Sequence, residues 1–393
     1  MVTYPKSIQM GLSFDDVLLI PNKSNVTSRK LVDVSVSLTK RIKLHIPIIS
    51  ANVPWCTDSR MAAAMACSGG LGIIHRMMPP EQQAAEIGKV KSIQYSKLLY
   101  PNATIDTDSL LVVGAAVGVK GDFSERARLA VESGVNLLVV DIAHGHSDQT
   151  LRAIEVLKRA HPDTELIAGN VATMDGTRDI INAGADAVKV GIGPGGICST
   201  RVVTGCGMPQ ITAILESSQY ARKHDVSIIA DGGIRSSGDI TKAIAAGASA
   251  VMLGSMLAGA EESSAHVVTQ GAQKYKITTG FVTLGMELTL KKLSNQYITE
   301  EELKNYVPEG VEATFPYTGP LQDTLIPYIG GLKSGMSYCG ASSIQELWRR
   351  ANFIQITRSG FTEGTPHALT RTEQIQPDYK TIFINEKRDV EAQ

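Results

Sequence analysis

The stretch Val190-Gly-Ile-Gly-Pro-Gly-Gly-Ile-Cys-Ser-Thr200 decides between the two α/β folds open to this chain. It follows a buried-strand pattern, Ala185–Val190, and sets four glycines and a proline in the six residues from Gly191 to Gly196. Cys198 comes next, beside the hydroxyls of Ser199 and Thr200. A doubly wound sheet usually carries GxGxxG after its first strand, opening a helix on a dinucleotide phosphate. Here the glycine spacing is wrong, and Pro194 falls where such a helix would begin. A thiol on a glycine-rich turn at a strand's C-terminal end instead sits where a barrel enzyme keeps its nucleophile. The plain competing reading is a small buried cysteine on a tight turn, since free cysteines are among the most buried residues.

Outward from this loop, short apolar runs recur with amphipathic segments between them. The runs are Ile46–Ser50, Leu71–Ile74, Leu111–Gly114, Leu137–Asp141, Leu166–Asn170, Ala187–Gly191, Ile228–Asp231 and Val251–Leu253. Helical patterns cover Arg126–Ser133, Thr150–Ala160, Thr177–Ala183, Ile211–Lys223 and Ile240–Ala246, and glycines at 184 and 247 supply C-cap signals. Eight such units in series predict a (β/α)8 TIM barrel, with a flap insertion after strand 8.

Composition agrees with that fold. Hydrophobic residues make up 43% of the 393 and aromatics only 5%, so Ala, Val, Ile and Leu must build the core, as in parallel sheets covered by helices. A net charge of −1 argues against nucleic-acid or membrane partners. The five cysteines (Cys56, Cys67, Cys198, Cys206, Cys339) show no CxxC spacing and read as reduced thiols. The first residues lack the pattern of a signal peptide, and no apolar run reaches membrane-spanning length, so a cytoplasmic protein is expected. Residues 1–393 read as a single catalytic barrel domain. Within it, 92–109 is a short polar loop and 278–319 a long excursion of the kind that forms a mobile flap.

Polar residues at the strand ends would share one mouth: Ser50, Asn52, His75, Asp141, His144, His146, Asn170, Cys198, Thr200, Asp231, Gly254 and Ser255. Asp231-Gly-Gly-Ile234 and Met252-Leu-Gly-Ser-Met256 end strands seven and eight, whose loops form the common phosphate site of barrels. Asp231 would repel a phosphate but can accept from two ribose hydroxyls, and the pair of signals suggests a nucleoside monophosphate. Asp141-Ile-Ala-His-Gly-His-Ser147 is a weak metal pattern and an equally good ribose site for a second nucleotide.

Ser13-Phe-Asp-Asp-Val-Leu-Leu-Ile-Pro21, Gly114-Ala-Ala-Val-Gly118, the Asp141–Ser147 run, Gly169-Asn-Val-Ala-Thr173, the Cys198 loop, Asp231-Gly-Gly-Ile234, Pro308-Glu-Gly-Val-Glu312 and Gly330–Gly340 resemble the IMP dehydrogenase and GMP reductase family, in order over nearly the whole chain. The resemblance implies a barrel, usually a homotetramer, acting on a purine mononucleotide with a nicotinamide cofactor. Cys198 would attack C2 of the purine, NAD would take the hydride, and water would hydrolyse the thioimidate with help from Thr200. It further implies substrate contacts at Ala51, Val53, Asn170, Asp231, Gly233, Gly254, Ser255, Phe281, Val282 and Glu309. Cofactor contacts would fall at Asp141, Ala143 and His144, and backbone carbonyls of Gly193, Gly195 and Cys198 would hold K+. The C-terminal part, through Tyr338-Cys-Gly-Ala341, looks more like the dehydrogenases, without the CBS modules that most of them carry; the 92–109 loop sits where those would be inserted.

The departures from the family pattern cluster. Asn52-Val-Pro-Trp-Cys-Thr57 replaces Ala-Met-Asp-Thr-Val-Thr, Thr278-Thr-Gly-Phe-Val-Thr-Leu284 replaces Tyr-Arg-Gly-Met-Gly-Ser-Leu, and Gly196 replaces a serine. On the flap Gln296-Tyr297 stands for Arg-Tyr, and a glutamine cannot be the general base that the arginine is. These changes line one purine pocket and point to altered specificity, with AMP, oxidised to isoguanosine monophosphate, a candidate beside IMP. The alternatives are a GMP reductase and a catalytically inactive nucleotide-binding barrel.

Overall fold

The computed structural model describes residues 8–271, 273–278, 299 and 313–364. The chain divides into two compact units, residues 1–354 and 355–393. In the first, eight parallel strands close a barrel: β1 (Ile48–Ser50), β2 (Leu71–Ile74), β3 (Val113–Val117), β4 (Leu137–Asp141), β5 (Glu165–Val171), β6 (Ala187–Val190), β7 (Ser227–Asp231) and β8 (Ala250–Leu253). Closure is the pairing of β8 with β1, Val251 opposite Ile48. The expected (β/α)8 architecture is therefore the fold, and each of the eight apolar runs contributes its strand.

Burial on both faces explains the composition of these strands. Every residue of β1, β2, β3, β6 and β8 is buried, by the barrel interior on one side and helices on the other. The outer layer consists of α1 (Ser59–Cys67), α2 (Pro80–Lys91), α3 (Phe123–Glu132), α4 (Asp148–Ala160), α5 (Met174–Asn182), α6 (Gln210–Ala221), α7 (Ser237–Ala245) and α8 (Leu321–Tyr338). Side-chain caps start several of them: Ser147, Thr173 and Ser236 accept from the backbone of the first turn of α4, α5 and α7. The alanines of α1 allow a close approach to β2, where a Cβ on Gly72 would lie 2.3 Å from the Ala62 Cα.

The third strand begins two residues later than its apolar run. The Leu111 carbonyl accepts from Lys91 Nζ (3.1 Å), Val112 N–H donates to the Thr104 carbonyl (3.0 Å), and Val113 N–H donates to Asn136 Oδ1 (3.0 Å). Leu111 and Val112 are buried as an approach to the barrel, and the ladder continues through Gly-Ala-Ala, which the sequence reading took for the strand's end. Lys91 also meets Asp106 and Asn136, each at 2.7 Å, so the 92–109 connection is tied down at its base.

The excursion after β8 starts earlier than expected. A one-turn helix, Ser255–Ala258, leads into an antiparallel sheet of His266–Gln270, Gln273–Thr278 and Ala313–Pro316, and only then does α8 pack between α7 and α1. Trp55, just after β1, stacks on Phe315 of that sheet with centroids 6.4 Å apart. In the second unit, a short helix, Arg358–Glu363, is capped by Thr357. No helix among the described residues is long and apolar enough to cross a membrane.

Candidate functional site at the barrel mouth

The glycine-rich loop leaves β6 at Gly191, which has φ +146° and passes so near β7 that a Cβ there would lie 2.0 Å from the Asp231 carbonyl oxygen. No other residue fits that crossing. Gln210, buried at the start of α6, donates to the carbonyls of Val190 (2.9 Å) and Asp231 (3.1 Å) and so fixes the ends of β6 and β7 together. Further along, Cys198 N–H donates to the Gly195 carbonyl (3.1 Å), closing a turn that leaves the thiol exposed. Cys198 Sγ donates to Thr200 Oγ1 at 3.2 Å.

One cavity of about 220 Å³ brings together Cys198, Thr200, Asp141, Asn170, Lys189 and Asp231, with Ala51, Asn52, Val53, Ala143, Gly193 and Gly195 on its walls. Its centre is a charged cluster. Lys189, 3% exposed and flanked by valines in β6, donates to Asp141 Oδ1 at 2.7 Å and Asp231 Oδ2 at 2.6 Å. Burial alone would raise the Asp141 carboxyl. Lys189, with help from Arg76 and Asn52, reverses that and holds it below the ordinary carboxylate value. The same two carboxylates raise Lys189 above an ordinary lysine despite the burial that opposes its charge. Asn170 Nδ2 donates to Asp231 Oδ2 (2.9 Å) and to the Gly191 carbonyl (2.7 Å). Its buried Oδ1 has no hydrogen-bond partner among the described residues.

A second cavity, also about 220 Å³, shares Pro194 with the first and is lined by Gly196, Gly233 and Ser255 together with Arg201 and Arg235. Arg201 is braced by the carbonyls of Ile192 and Met208, and Arg235 is paired with Asp15. Two guanidinium groups, a hydroxyl and glycine turns suit a phosphate monoester. The adjoining Gly254 packs against Ala51 and the Trp55 ring.

The strand-end polar residues do not all converge. Ser50 is buried and accepts from Thr57 Oγ1 (2.9 Å). His75 is 6% exposed and accepts from Met77 N–H, and burial pushes its imidazole down to about 4, so it is neutral at physiological pH. His144 is exposed, and His146 Nε2 pairs with Asp179 Oδ2 at 2.9 Å. Among the described residues, no group of three or more His, Cys, Asp or Glu is arranged to hold a metal ion. Phe281, Val282, Gln296, Tyr297 and Glu309 lie outside the described residues. Sequence reasoning passed over Lys189, Arg201 and Arg235, although a lysine between valines in a buried strand is itself a signal that a carboxylate lies opposite.

An exposed thiol beside a hydroxyl, ribose-type carboxylates and an adjoining phosphate-type cavity define a barrel enzyme directed at nucleotides. The comparisons with known proteins place it more narrowly. Residues 11–367 match the model of the IMP dehydrogenase / GMP reductase domain, and the chain belongs to that family of purine nucleotide oxidoreductases. It is 39% identical to the inosine-5'-monophosphate dehydrogenase of Nitrosopumilus maritimus, over 91% of this chain and 98% of that one. It is 38% identical to the enzyme of the same name from Aquifex aeolicus, over 96% and 99%. Among solved structures it resembles GMP reductase from Trypanosoma brucei in complex with guanosine 5'-monophosphate, with a TM-score of 0.87 and 34% identity, covering 92% of this chain and 99% of that one. The alignment with the Nitrosopumilus enzyme runs over 466 positions, more than the 393 residues here, so it includes positions this chain lacks.

Proposed function

We propose that the chain oxidises C2 of a purine 5'-mononucleotide with NAD+, through a thioimidate on Cys198, with IMP to XMP as the reaction. The observation that carries this reading is the exposed Cys198 thiol, 3.2 Å from Thr200 Oγ1, in the same cavity as Asp141 and Asp231. Asp231 would accept from the ribose hydroxyls of the nucleotide, and Gly233, Ser255 and the neighbouring guanidinium groups would take its phosphate. Asn170 Oδ1 would accept from the bound nucleotide. The Cys198 thiolate would add to C2, and the hydride would leave C2 for NAD+, whose chemistry here is to accept it. Water, polarised by Thr200, would then hydrolyse the thioimidate, releasing XMP and restoring the thiol. Asp141, held ionised, suits the ribose of the dinucleotide, with Ala143 and His144 beside it.

The glycine loop fits the monovalent cation K+. Its oxygen donors would be the backbone carbonyls of Gly193, Gly195 and Cys198, and Gly193, at φ +77°, turns the chain in a way few side chains allow. Ala51, Val53 and Gly254, backed by Trp55, would wall the purine side, with Phe281, Val282 and Glu309 completing it and Gln296 and Tyr297 contributed by the flap. The active form would be a cytoplasmic homotetramer, as the family resemblance implies.

The test is absorbance at 340 nm with NAD+ and K+, offering IMP, AMP and GMP separately. NADH from IMP supports the proposal. NADH from AMP alone would reassign the purine to a 6-amino substrate and make Trp55 part of that change. The likeness to a GMP reductase structure favours one further outcome: NADPH consumption and ammonia release with GMP, which would replace oxidation by reduction.

A further inference from the structure

The end of the barrel opposite Cys198 contains a cavity of about 440 Å³, within the range of small-ligand sites. It lies where β7 and β8 begin, at Ser227, Ile228 and Ser249, and is enclosed by the segment Val36–Lys40, the end of α6 at Arg222, and Trp348 of the helix Ile344–Arg350. This face of a barrel ordinarily serves stability, and a face that only packed would use up its polar groups.

Two groups here are not used up. Ser249 is 4% exposed, lines the cavity, and its hydroxyl makes no hydrogen bond to another described residue. Arg222, solvent-exposed, lies over Trp348 with its guanidinium carbon 5.3 Å from the ring centroid, and its side chain has neither a carboxylate within ion-pair distance nor a hydrogen-bond acceptor among the described residues. Trp348 is itself pinned, its Nε1 donating to the Ala248 carbonyl at 3.2 Å. A guanidinium held over a ring by its charge keeps N–H donors with which to meet an oxyanion. Lys40 adds a second cation against one acid, Asp225, and half-buried Val226, backed by the buried Leu38 and Ile228, supplies apolar wall.

We infer that this cavity binds a small amphipathic organic anion, a carboxylate or phosphate monoester gripped by Arg222 and Ser249 with its apolar body against Val226. The inference is independent of the chemistry at the mouth. Binding is read on the full chain by the fluorescence of Trp348, one of only two tryptophans. The probes are benzoate and phenyl phosphate, with benzyl alcohol as the neutral shape and orthophosphate as the bare anion.

A saturable change with benzoate or phenyl phosphate is expected, and which of the two binds more tightly identifies the head group. The signal should vanish in Trp348→Phe, which leaves Trp55 in place. Affinity should fall about tenfold or more in Arg222→Met, less in Arg222→Lys, and measurably in Ser249→Ala. Melting temperatures confirm that each variant is folded, and the oxidation rate of Arg222→Met should match wild type. No saturable change with either anion, equal binding of benzyl alcohol or of orthophosphate, or unchanged affinity in both Arg222→Met and Ser249→Ala would overturn the inference.

Discussion

The barrel mouth and the strand ribbon after β8 each bury a lysine almost completely, and they treat its charge in opposite ways. Lys189 meets two carboxylates at 2.6 and 2.7 Å, which raise its affinity for the proton. Lys276, 2% exposed, donates to the carbonyls of Ser263 (2.6 Å) and Glu261 (3.1 Å), and burial lowers its pKa. The first is a charge that organises other charges. The second is a three-donor bracket that ties the ribbon to the turn below it. Burial of a lysine therefore says little about its role; the acceptors around it say what it is for.

The largest effect should separate chemistry from this charged frame. Cys198→Ala is expected to lower turnover by roughly 10⁴-fold or more, while equilibrium binding of the mononucleotide and the melting temperature stay near wild type. NADH formation at the wild-type rate would remove Cys198 from the mechanism. Next comes Lys189→Met, which leaves Asp141 and Asp231 facing each other without a counter-charge. Chemical denaturation should show a loss of about 3–5 kcal/mol, accompanied by weakened nucleotide binding. A variant as stable as wild type would mean that the two carboxylates share a proton instead of relying on Lys189.

A third outcome concerns a buried base at which burial outweighs the nearby carboxylate of Glu86. His75 has a folded pKa of about 4 against an ordinary 6.5, so its neutral form contributes stability that is fully present above pH 6.5 and is lost as pH falls toward 4. Moving wild type from pH 7 to pH 5 should cost about 2 kcal/mol through this residue. His75→Asn should flatten that part of the pH dependence, measured as the shift of the urea midpoint. The smallest effect is expected at the ribbon: Lys276→Met should cost about 1 kcal/mol, the net worth of its hydrogen bonds. Because the folded pKa of Lys276 is lowered, the unfolded chain holds that proton more tightly, and wild type should gain stability relative to the variant as pH rises toward 10.5.

The barrel was legible because each strand is an apolar run bounded by turn residues, and each of the helices α3 to α7 carries a periodic apolar face. The third strand slipped because Gly114-Ala-Ala reads as a break, whereas in a closed barrel small residues are simply another way to fill the interior. The ribbon was missed because His266–Gln270 and Gln273–Thr278 are short and mostly polar, and their pairing is a tertiary fact. At the site, Cys198, Thr200, Asp141, Asn170 and Asp231 could be placed at strand ends from sequence and they do share a cavity. His75, His144 and His146 sit at comparable positions but turn to burial, solvent and Asp179. Strand position fixes where a residue begins; the direction in which its side chain leaves depends on neighbours that sequence does not order.

The placement of α8 has a consequence for how the chain is made. The helix that fills the gap between α7 and α1 starts at residue 321, whereas the strand it serves ends at residue 253. A ribosome adding roughly 5–20 residues per second finishes β8 several seconds before it finishes α8. During that interval all eight strands exist while one flank of α1 waits for its cover. The vulnerable species in the birth of this protein is thus a nearly complete barrel with one stave missing, and chaperone or protease encounters should concentrate at that seam.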